Sequence, residues 1–340
     1  MGGEDHRNVR ADLRRGRDRV NTLFVDDRYR GAHGIGRYAR EVLPRLGPAW
    51  RSLHLSGTPY SPLDAFRALP DVSRDDVVYS PGYGALVRAS RQILTVHDLI
   101  QLRSPWPGRA KFAAYYAGPV RHAIRRAGVV LTVSETSARD IRAWLRDDTV
   151  RVVNAGNGCS AAFHPDGPIR QTPYPYVMYV GNTRHHKNLN VVVQALAHVP
   201  ELRLRAVLPE PEIDRAAEWA EAAGVADRVE LLHGVTDDWL AELYRGAVAT
   251  VQPSTDEGFG LPALESISCG VPVLFWAGCE SVAEIVGERG WAVAEARDPA
   301  AWADALTTAM DARRRVEAPT GYDWDRTAAI ISDELRRALG

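Results

Sequence analysis

The chain has 340 residues, 45% of them apolar and 25% charged, which is the balance of an ordinary soluble globular protein and long enough for two domains. Forty-two cations face 43 anions, a net charge of −1, so no global field draws nucleic acid or anionic lipid, and no nucleic-acid partner is expected. No apolar run approaches the ~20 residues of a membrane span, and residues 1–20 lack the apolar centre of a signal peptide and read as a solvated leader.

Short apolar runs alternate with helical patterns along the rest of the chain, the mark of βαβ units and parallel sheets in an α/β fold. In the first half the runs Thr22–Asp26, Val77–Tyr79, Ile93–His97, Val129–Val133 and Val150–Val153 are expected strands. Helices are expected near Gly36–Leu46, Arg109–Arg126 and Glu135–Leu145. The pattern then breaks at Phe163–Tyr176, where Pro165, Pro168, Pro173 and Pro175 mark a linker. It resumes with strands at Val177–Val180, Leu202–Val207, Val229–Leu232, Val248–Gln252 and Val271–Phe275. Helices near Leu189–Ala197, Asp214–Ala223, Asp238–Arg245, Pro262–Ser268 and Pro299–Ala312 separate them, and a last helix covers Asp325–Leu339. Two doubly wound domains facing one another make a cleft, with ligands at the carboxyl ends of their strands.

Three cysteines, Cys159, Cys269 and Cys279, fit neither a disulfide framework nor a zinc site, and idle thiols in a reducing, cytoplasmic setting are expected. Of the 42 cations only Lys111 and Lys187 are lysines. In so arginine-rich a chain a retained lysine is a weak sign that a compact ammonium is needed.

The most informative stretch is Pro253-Ser254-Thr255-Asp256-Glu257-Gly258-Phe259-Gly260-Leu261-Pro262-Ala263-Leu264-Glu265. It follows a strand, and Pro262 suits the first position of a helix. Gly258 and Gly260 allow close approach of a ligand, and the amides around Gly260–Ala263 make an anion site at the helix start. Glu257 in the loop can accept from sugar hydroxyls, and Glu265 in the first helical turn reaches the same mouth. On residue types alone a generic strand–turn–helix, with Glu265 complementing the dipole, serves equally well.

Four further stretches carry chemistry. In Val180-Gly181-Asn182-Thr183-Arg184-His185-His186-Lys187-Asn188-Leu189 a strand ends at Gly181, and Arg184 and Lys187, three apart, suit an anion such as a diphosphate or make a solvated basic turn. Gly31-Ala32-His33-Gly34-Ile35-Gly36-Arg37-Tyr38 is not the dinucleotide pattern and by itself reads as a tight turn. His97 and Asp98 end a strand, and adjacent residues on a strand point to opposite faces, so they make no simple dyad. Asp323 and Asp325 form a D-x-D that coincides with a helix start, where a cap is favoured over a metal site.

The Glu257–Glu265 segment resembles the E-x7-E region of family 4 of the retaining glycosyltransferases, which have the two-domain GT-B fold. The likeness continues through Ser266-Ile267-Ser268-Cys269-Gly270-Val271-Pro272-Val273 and Ser281-Val282-Ala283-Glu284-Ile285-Val286-Gly287, and it spans Thr22 to Leu339. It implies that Glu257 contacts the donor sugar, Glu265 the nucleotide ribose, and the amides of Phe259, Gly260 and Leu261 the sugar and phosphate. The second stretch is similar to the family's V-G-x-x-x-P-x-K-N-L, with His185 in the place of proline, and implies that Gly181, Arg184 and Lys187 hold the diphosphate. G-I-G-R-Y implies that Gly34, Gly36 and Arg37 lie near the donor phosphates, and the H-D strand end implies that His97 lies beside the reacting face of the sugar. Thr132-Val133-Ser134-Glu135-Thr136-Ser137 resembles a helix start at which Ser134 caps. Asn157-Gly158 resembles the family's exit from the first domain, with Cys159 and Ser160 replacing its Val-Asp.

The expected protein is then a GT-B enzyme with an acceptor domain over residues 21–165, a nucleotide-sugar domain over 166–320 and a C-terminal helix over 321–340 that packs back on the first domain. It would move a hexosyl group from a GDP- or UDP-sugar to a hydroxyl acceptor (a glycan, a lipid-linked glycan or a small natural product) with retention and with no metal or cofactor. A nucleotide-sugar epimerase of the same fold and a silent sugar-binding subunit are the alternatives. The basic, aromatic Arg109–Tyr116 segment, in a chain with no polybasic patch, reads as a solvated helix face lining the cleft rather than a lipid contact.

Overall fold

The structure, a computed structural model, describes residues 21–31, 34–59, 61–170 and 172–340. The 1–20 leader and Ala32-His33 of the glycine loop lie outside the described residues.

The first half holds β1 (Leu23–Val25), β2 (Trp50–Ser52), β3 (Val77–Ser80), β4 (Gln92–Leu94), β5 (Val129–Thr132) and β6 (Arg151–Asn154). Four of them pair in the order β2-β1-β3-β4, and β5 pairs with β6. A parallel bridge from Thr95 to Leu131, with the Val96 amide donating to Leu131 O at 2.8 Å, joins the two groups into one twisted layer. The second half holds β7 (Tyr176–Val180), β8 (Arg203–Val207), β9 (Val229–Leu232), β10 (Ala249–Gln252), β11 (Val273–Trp276) and β12 (Gly290–Val293), in the order β12-β11-β10-β7-β8-β9. Every strand pair in both layers is parallel. Helices cover both faces, so strands such as Val129–Thr132 are buried along their whole length and read as unbroken apolar runs.

Two strands escape the sequence pattern. Trp50–Ser52 and Gly290–Val293 are the outermost strands of their sheets, short and partly exposed, and neither alternates clearly. The strand expected over Ile93–His97 ends at Leu94, with ladder-like bonds continuing only through Thr95 and Val96, which places His97 and Asp98 in the loop beyond it. The helix expected over Arg109–Arg126 is three pieces, with a π turn at Tyr116–Val120 around Pro119. Within it Phe112, Tyr115 and Tyr116 are buried in the core of the first half, and Arg109 and Lys111 are exposed.

The proline-rich stretch lies on the second half. Phe163 is buried against Tyr244, their ring centroids 6.0 Å apart, and the buried Arg245 donates to Pro168 O at 2.8 Å and His164 O at 3.2 Å. The last helix, Trp324–Leu339, lies on the first half from its start, where Trp324 meets Tyr38 and Asp325 binds Arg45. Asp323 caps it by accepting from the Asp325 amide at 2.9 Å, Ser332 Oγ accepts from the Gly47 amide at 2.9 Å, and Leu339 O accepts from Asn21 at 2.7 Å. The buried Glu334 binds Arg151 and Arg337. One apolar cluster crosses from half to half, joining Val25, Tyr38 and Ile93 to Phe259, Leu264 and Val282.

The chain passes between the halves twice, at adjacent places: the Cys159 amide donates to Tyr322 O at 3.2 Å, and a Cβ at the buried Gly158 would overlap the backbone of Trp324. Gly158→Ala is therefore expected to destabilise the fold by about 1–3 kcal/mol, the usual cost of forcing an extra carbon into a packed place. Gly118→Ala, whose Cβ would meet nothing within 4 Å, should stay within about 0.5 kcal/mol of wild type or gain slightly. Urea unfolding of the two variants against wild type measures the contrast.

Candidate functional site

Two loops leave the carboxyl ends of neighbouring strands β7 and β10 and are tied together. The Thr255 amide donates to His186 O at 2.7 Å, and Asn188, held at φ 54°, donates to Pro253 O at 3.3 Å and Ala296 O at 2.6 Å. Across this join Lys187 Nζ reaches both oxygens of Glu257, at 2.6 and 2.8 Å. Gln252 Nε2 and Ser254 Oγ each donate to Glu257 Oε1 at 2.7 Å. The Glu257 side chain is 10% exposed and that of Lys187 18%. Burial pushes the Glu257 carboxyl upward, but Lys187 and Ser254 outweigh it and hold the group below the usual range. The neighbouring His186 is pushed down to about 4 by burial and by Lys187, so it is neutral at pH 7.

Arg184 is exposed on the same loop, its amide donating to Asn182 Oδ1 at 3.1 Å. Gly181 opens the loop, donating to Val207 O at 3.1 Å, and a Cβ there would lie 2.6 Å from the Tyr179 hydroxyl. Thr183, through its amide and its hydroxyl, binds the Glu212 carboxylate.

The Glu257 loop is gripped by the first half of the chain. Ser134 and Ser137 donate through their hydroxyls to Gly258 O at 2.7 and 3.0 Å, and Ser281 donates to Glu257 O at 2.8 Å. Ser134 also caps its own helix, accepting from the Ser137 amide at 3.0 Å, so one hydroxyl serves both purposes. A Cβ at Gly258 would sit 2.9 Å from Asp98 Oδ2 and 3.0 Å from His97 O, so only glycine lets the loop come this close. Asp98 accepts from the Ile100 amide at 2.9 Å, and burial raises its pKa. His97 Nε2 lies 2.9 Å from Pro81 O, and its ring meets Tyr38 edge-on at 4.7 Å. Arg103 bridges to Asp256 at 3.1 Å, and Glu284 of the second half binds the Thr136 amide at 2.7 Å at a helix start of the first.

The structure thus brings His97 and Gly34 of the first half to the Glu257 loop: a Cβ at Gly34 would be 4.0 Å from Leu261 Cδ1. Gly36 closes a turn, because a Cβ there would collide with the carbonyl of Gly31. One expected position needs correction, that of Glu265. Phe259 turns its ring into the core, 5.9 Å from Tyr322, which leaves only its backbone for a ligand. The helix runs Leu261–Ser268 with Gly260 as N-cap at φ 114°, one residue earlier than expected, so Glu265 lies just past the first turn and is 4% exposed, not at the mouth. Arg37 faces Glu265 Oε1 at 3.1 Å and Asp237 Oδ1 at 2.5 Å. The sequence reading passed over Gln252, Ser254 and Asp237. Gln252 and Ser254 were signalled by two polar side chains closing an apolar strand, whereas Asp237 had no local signal because its partner is 200 residues away.

Residues 163–321 match the family described as Glycosyl transferases group 1. The chain carries a glycosyl transferases group 1 domain. A relative from Escherichia coli, "O-antigen chain mannosyltransferase B", is 30% identical over 262 residues, 73% of this chain and 66% of that one. A "D-inositol 3-phosphate glycosyltransferase" of Xylanimonas cellulosilytica is 34% identical over 179 residues, and the chain spans only 42% of its length. Among solved structures, WaaG, "a glycosyltransferase involved in lipopolysaccharide biosynthesis", superposes with a TM-score of 0.63 at 15% identity, covering 94% of this chain and 98% of that one. A glycosyltransferase from Rickettsia africae superposes at 0.62 with 14% identity over 94% and 93%. The architecture is therefore GT-B, with the group 1 domain supplying the Lys187 and Glu257 loops. No helix among the described residues is long and apolar enough to cross a membrane.

The buried Glu265 carries a pH signature. Burial outweighs the pull of Arg37 and raises its carboxyl from 4.5 to about 7. Between those values the folded protein keeps a proton that the unfolded chain has released. The contribution of this group to stability is therefore fullest below pH ~4.5 and is lost as pH rises through ~7. Glu265→Gln does not titrate. Urea unfolding at pH 5 and pH 8 should show wild type losing more stability on the way up than the variant, by roughly 1–3 kcal/mol.

Proposed function

We propose that the protein is a retaining glycosyltransferase that moves a hexosyl group from a GDP- or UDP-sugar to a hydroxyl acceptor without a metal ion. The observation that carries this reading is the Lys187–Glu257 pair, which joins the loops of β7 and β10 at 2.6 Å directly opposite His97, Asp98 and Ser134 of the other half. An ammonium and a carboxylate held side by side at paired strand ends suit a donor that is anionic at one end and hydroxylated at the other. Lys187 and the exposed Arg184 would neutralise the diphosphate, aided by the amides at the start of the Leu261–Ser268 helix. Glu257 would accept from hydroxyls of the sugar, and Glu265 from the ribose. His97 would line the reacting face.

On this reading the bond from the anomeric carbon to the diphosphate oxygen breaks as the acceptor oxygen attacks from the same face. The acceptor proton passes to the departing phosphate oxygen. No side chain forms a covalent bond, and the electrostatic task falls on Lys187, Arg184 and backbone amides. The names of the mannosyltransferase and inositol phosphate relatives support sugar transfer, and the acceptor is proposed only as a hydroxyl.

Melting-temperature screening against GDP- and UDP-sugars identifies the donor, and NMR of the product with and without an acceptor reports transfer and anomeric configuration. Inversion at the anomeric carbon, or conversion of the donor to an epimer without acceptor, overturns the proposal. With the donor in hand, Lys187→Ala is expected to lower kcat about a hundredfold or more, because a charge facing the developing diphosphate anion is lost. A rate within a fewfold of wild type removes Lys187 from this role. Turnover should also persist in EDTA, and full loss restored by added Mg²⁺ or Mn²⁺ refutes metal independence.

A further inference from the structure

Glu265 is assigned a ligand above, yet both of its oxygens are already engaged. Oε2 accepts from the buried Tyr244 hydroxyl at 3.2 Å, a neighbour in its own half. Oε1 faces Arg37 Nη1 at 3.1 Å, and Arg37 belongs to the other half, on the helix Gly34–Val42. The same guanidinium reaches Asp237 Oδ1 at 2.5 Å, in the first turn of the helix Asp237–Gly246, and lies 5.7 Å from the Phe163 ring. The Arg37 side chain is 15% exposed and that of Glu265 6%, so the guanidinium is the more exposed member of the pair.

A guanidinium offers only N–H donors, in a planar fork. A vicinal diol offers two O–H donors at similar spacing. Both ask for the same acceptor, and Oε1 is the oxygen that Tyr244 leaves to them. We propose that Arg37 holds the place of the nucleotide ribose on Glu265 and must swing away before a donor binds, so that the Arg37–Glu265–Asp237 bridge sets donor affinity. The inference rests on the ribose role given to Glu265. It assigns Arg37 the opposite effect from a phosphate-binding arginine: a direct contact strengthens binding, whereas a competing one weakens it. When only a fraction of the protein has Arg37 withdrawn, the apparent dissociation constant is raised by the inverse of that fraction.

The test is calorimetric titration of the full chain with GDP and with UDP, for wild type, Arg37→Ala, Asp237→Asn, Glu265→Gln and the double variant Arg37→Ala/Glu265→Gln. Arg37→Ala is expected to bind its preferred nucleotide about tenfold more tightly than wild type. Asp237→Asn, which frees one anchor of Arg37 and leaves Glu265 intact, should tighten binding about threefold, and it decides the matter if Arg37→Ala fails to fold. Glu265→Gln should bind more weakly, and the double variant should lose most of the gain made by Arg37→Ala. If Glu265→Gln weakens binding but neither Arg37→Ala nor Asp237→Asn tightens it, the competing role of Arg37 is overturned and the ribose role stands. If Glu265→Gln binds as wild type does, the ribose role itself fails and the inference with it. If Arg37→Ala binds neither nucleotide while remaining folded, Arg37 is a direct contact and the proposal is wrong.

Discussion

The carbonyl of Gly258 is the point on which the arrangement of the two halves turns. It accepts from Ser134 and Ser137, both on the first half, while its own residue stands two positions from the start of a second-half helix at Gly260. The same Ser134 hydroxyl that donates to this carbonyl accepts from the Ser137 amide and caps the helix that begins at Glu135. Packing demands glycine at 258, since Asp98 fills the space where a side chain would go. The Glu257 side chain is fixed from the other direction, by four contacts with Lys187, Gln252 and Ser254. One short loop is therefore held through its Gly258 carbonyl by one half and through its carboxylate by the other.

That division explains what was legible in the sequence. Parallel layers, the order of elements and the strand–loop–helix units follow from local apolar runs and their spacing, and the group 1 domain is carried by contiguous stretches such as Gly181–Leu189 and Glu257–Glu265. The Glu257 and Lys187 loops were each readable because each is local. The pairing of Lys187 with Glu257, 70 residues apart, was not, because two loops at neighbouring strand ends meet only once β7 and β10 lie side by side. Each residue type suits a ligand contact, and in the structure each first answers the other. The pairing of Arg37 was hidden for the same reason: its short motif says nothing of Asp237, and a guanidinium between two carboxylates is a tertiary fact. The edge strands Trp50–Ser52 and Gly290–Val293 were invisible because they borrow their conformation from β1 and β11.

The seam between the halves carries ion pairs as well as an apolar cluster. Arg37, Arg103 and Arg139 of the first half meet Glu265, Asp256 and Glu280 of the second, and Glu284 answers a helix start in the first. The exposed members of this set, such as Arg139–Glu280, contribute little individually. The buried member is different. Taking the two groups out of water offsets much of their attraction, so the intact pair adds little net stability over an apolar contact. The Arg37–Glu265 contact is thus poorly suited to hold the fold together. The apolar cluster around Tyr38, Phe259 and Val282 does the holding.

The same reasoning bears on why position 187 is lysine in a chain with forty arginines. Glu257 already draws on Gln252 and Ser254, so the cation beside it must fit a small space and approach both oxygens with one atom. Nζ does so at 2.6 and 2.8 Å. An ammonium has three hydrogens, and two of them satisfy the carboxylate, so one is left to point elsewhere. A guanidinium in its place would match the two carboxylate oxygens with a planar fork and spend its geometry on that match, with its remaining donors confined to the same plane. A strongly hydrated point charge can hold the carboxylate and still turn a donor toward an anion on the other side. On the proposed reading, the lysine is retained because it must serve an internal carboxylate and an external phosphate at once, a demand that a tetrahedral donor meets and a flat one does not.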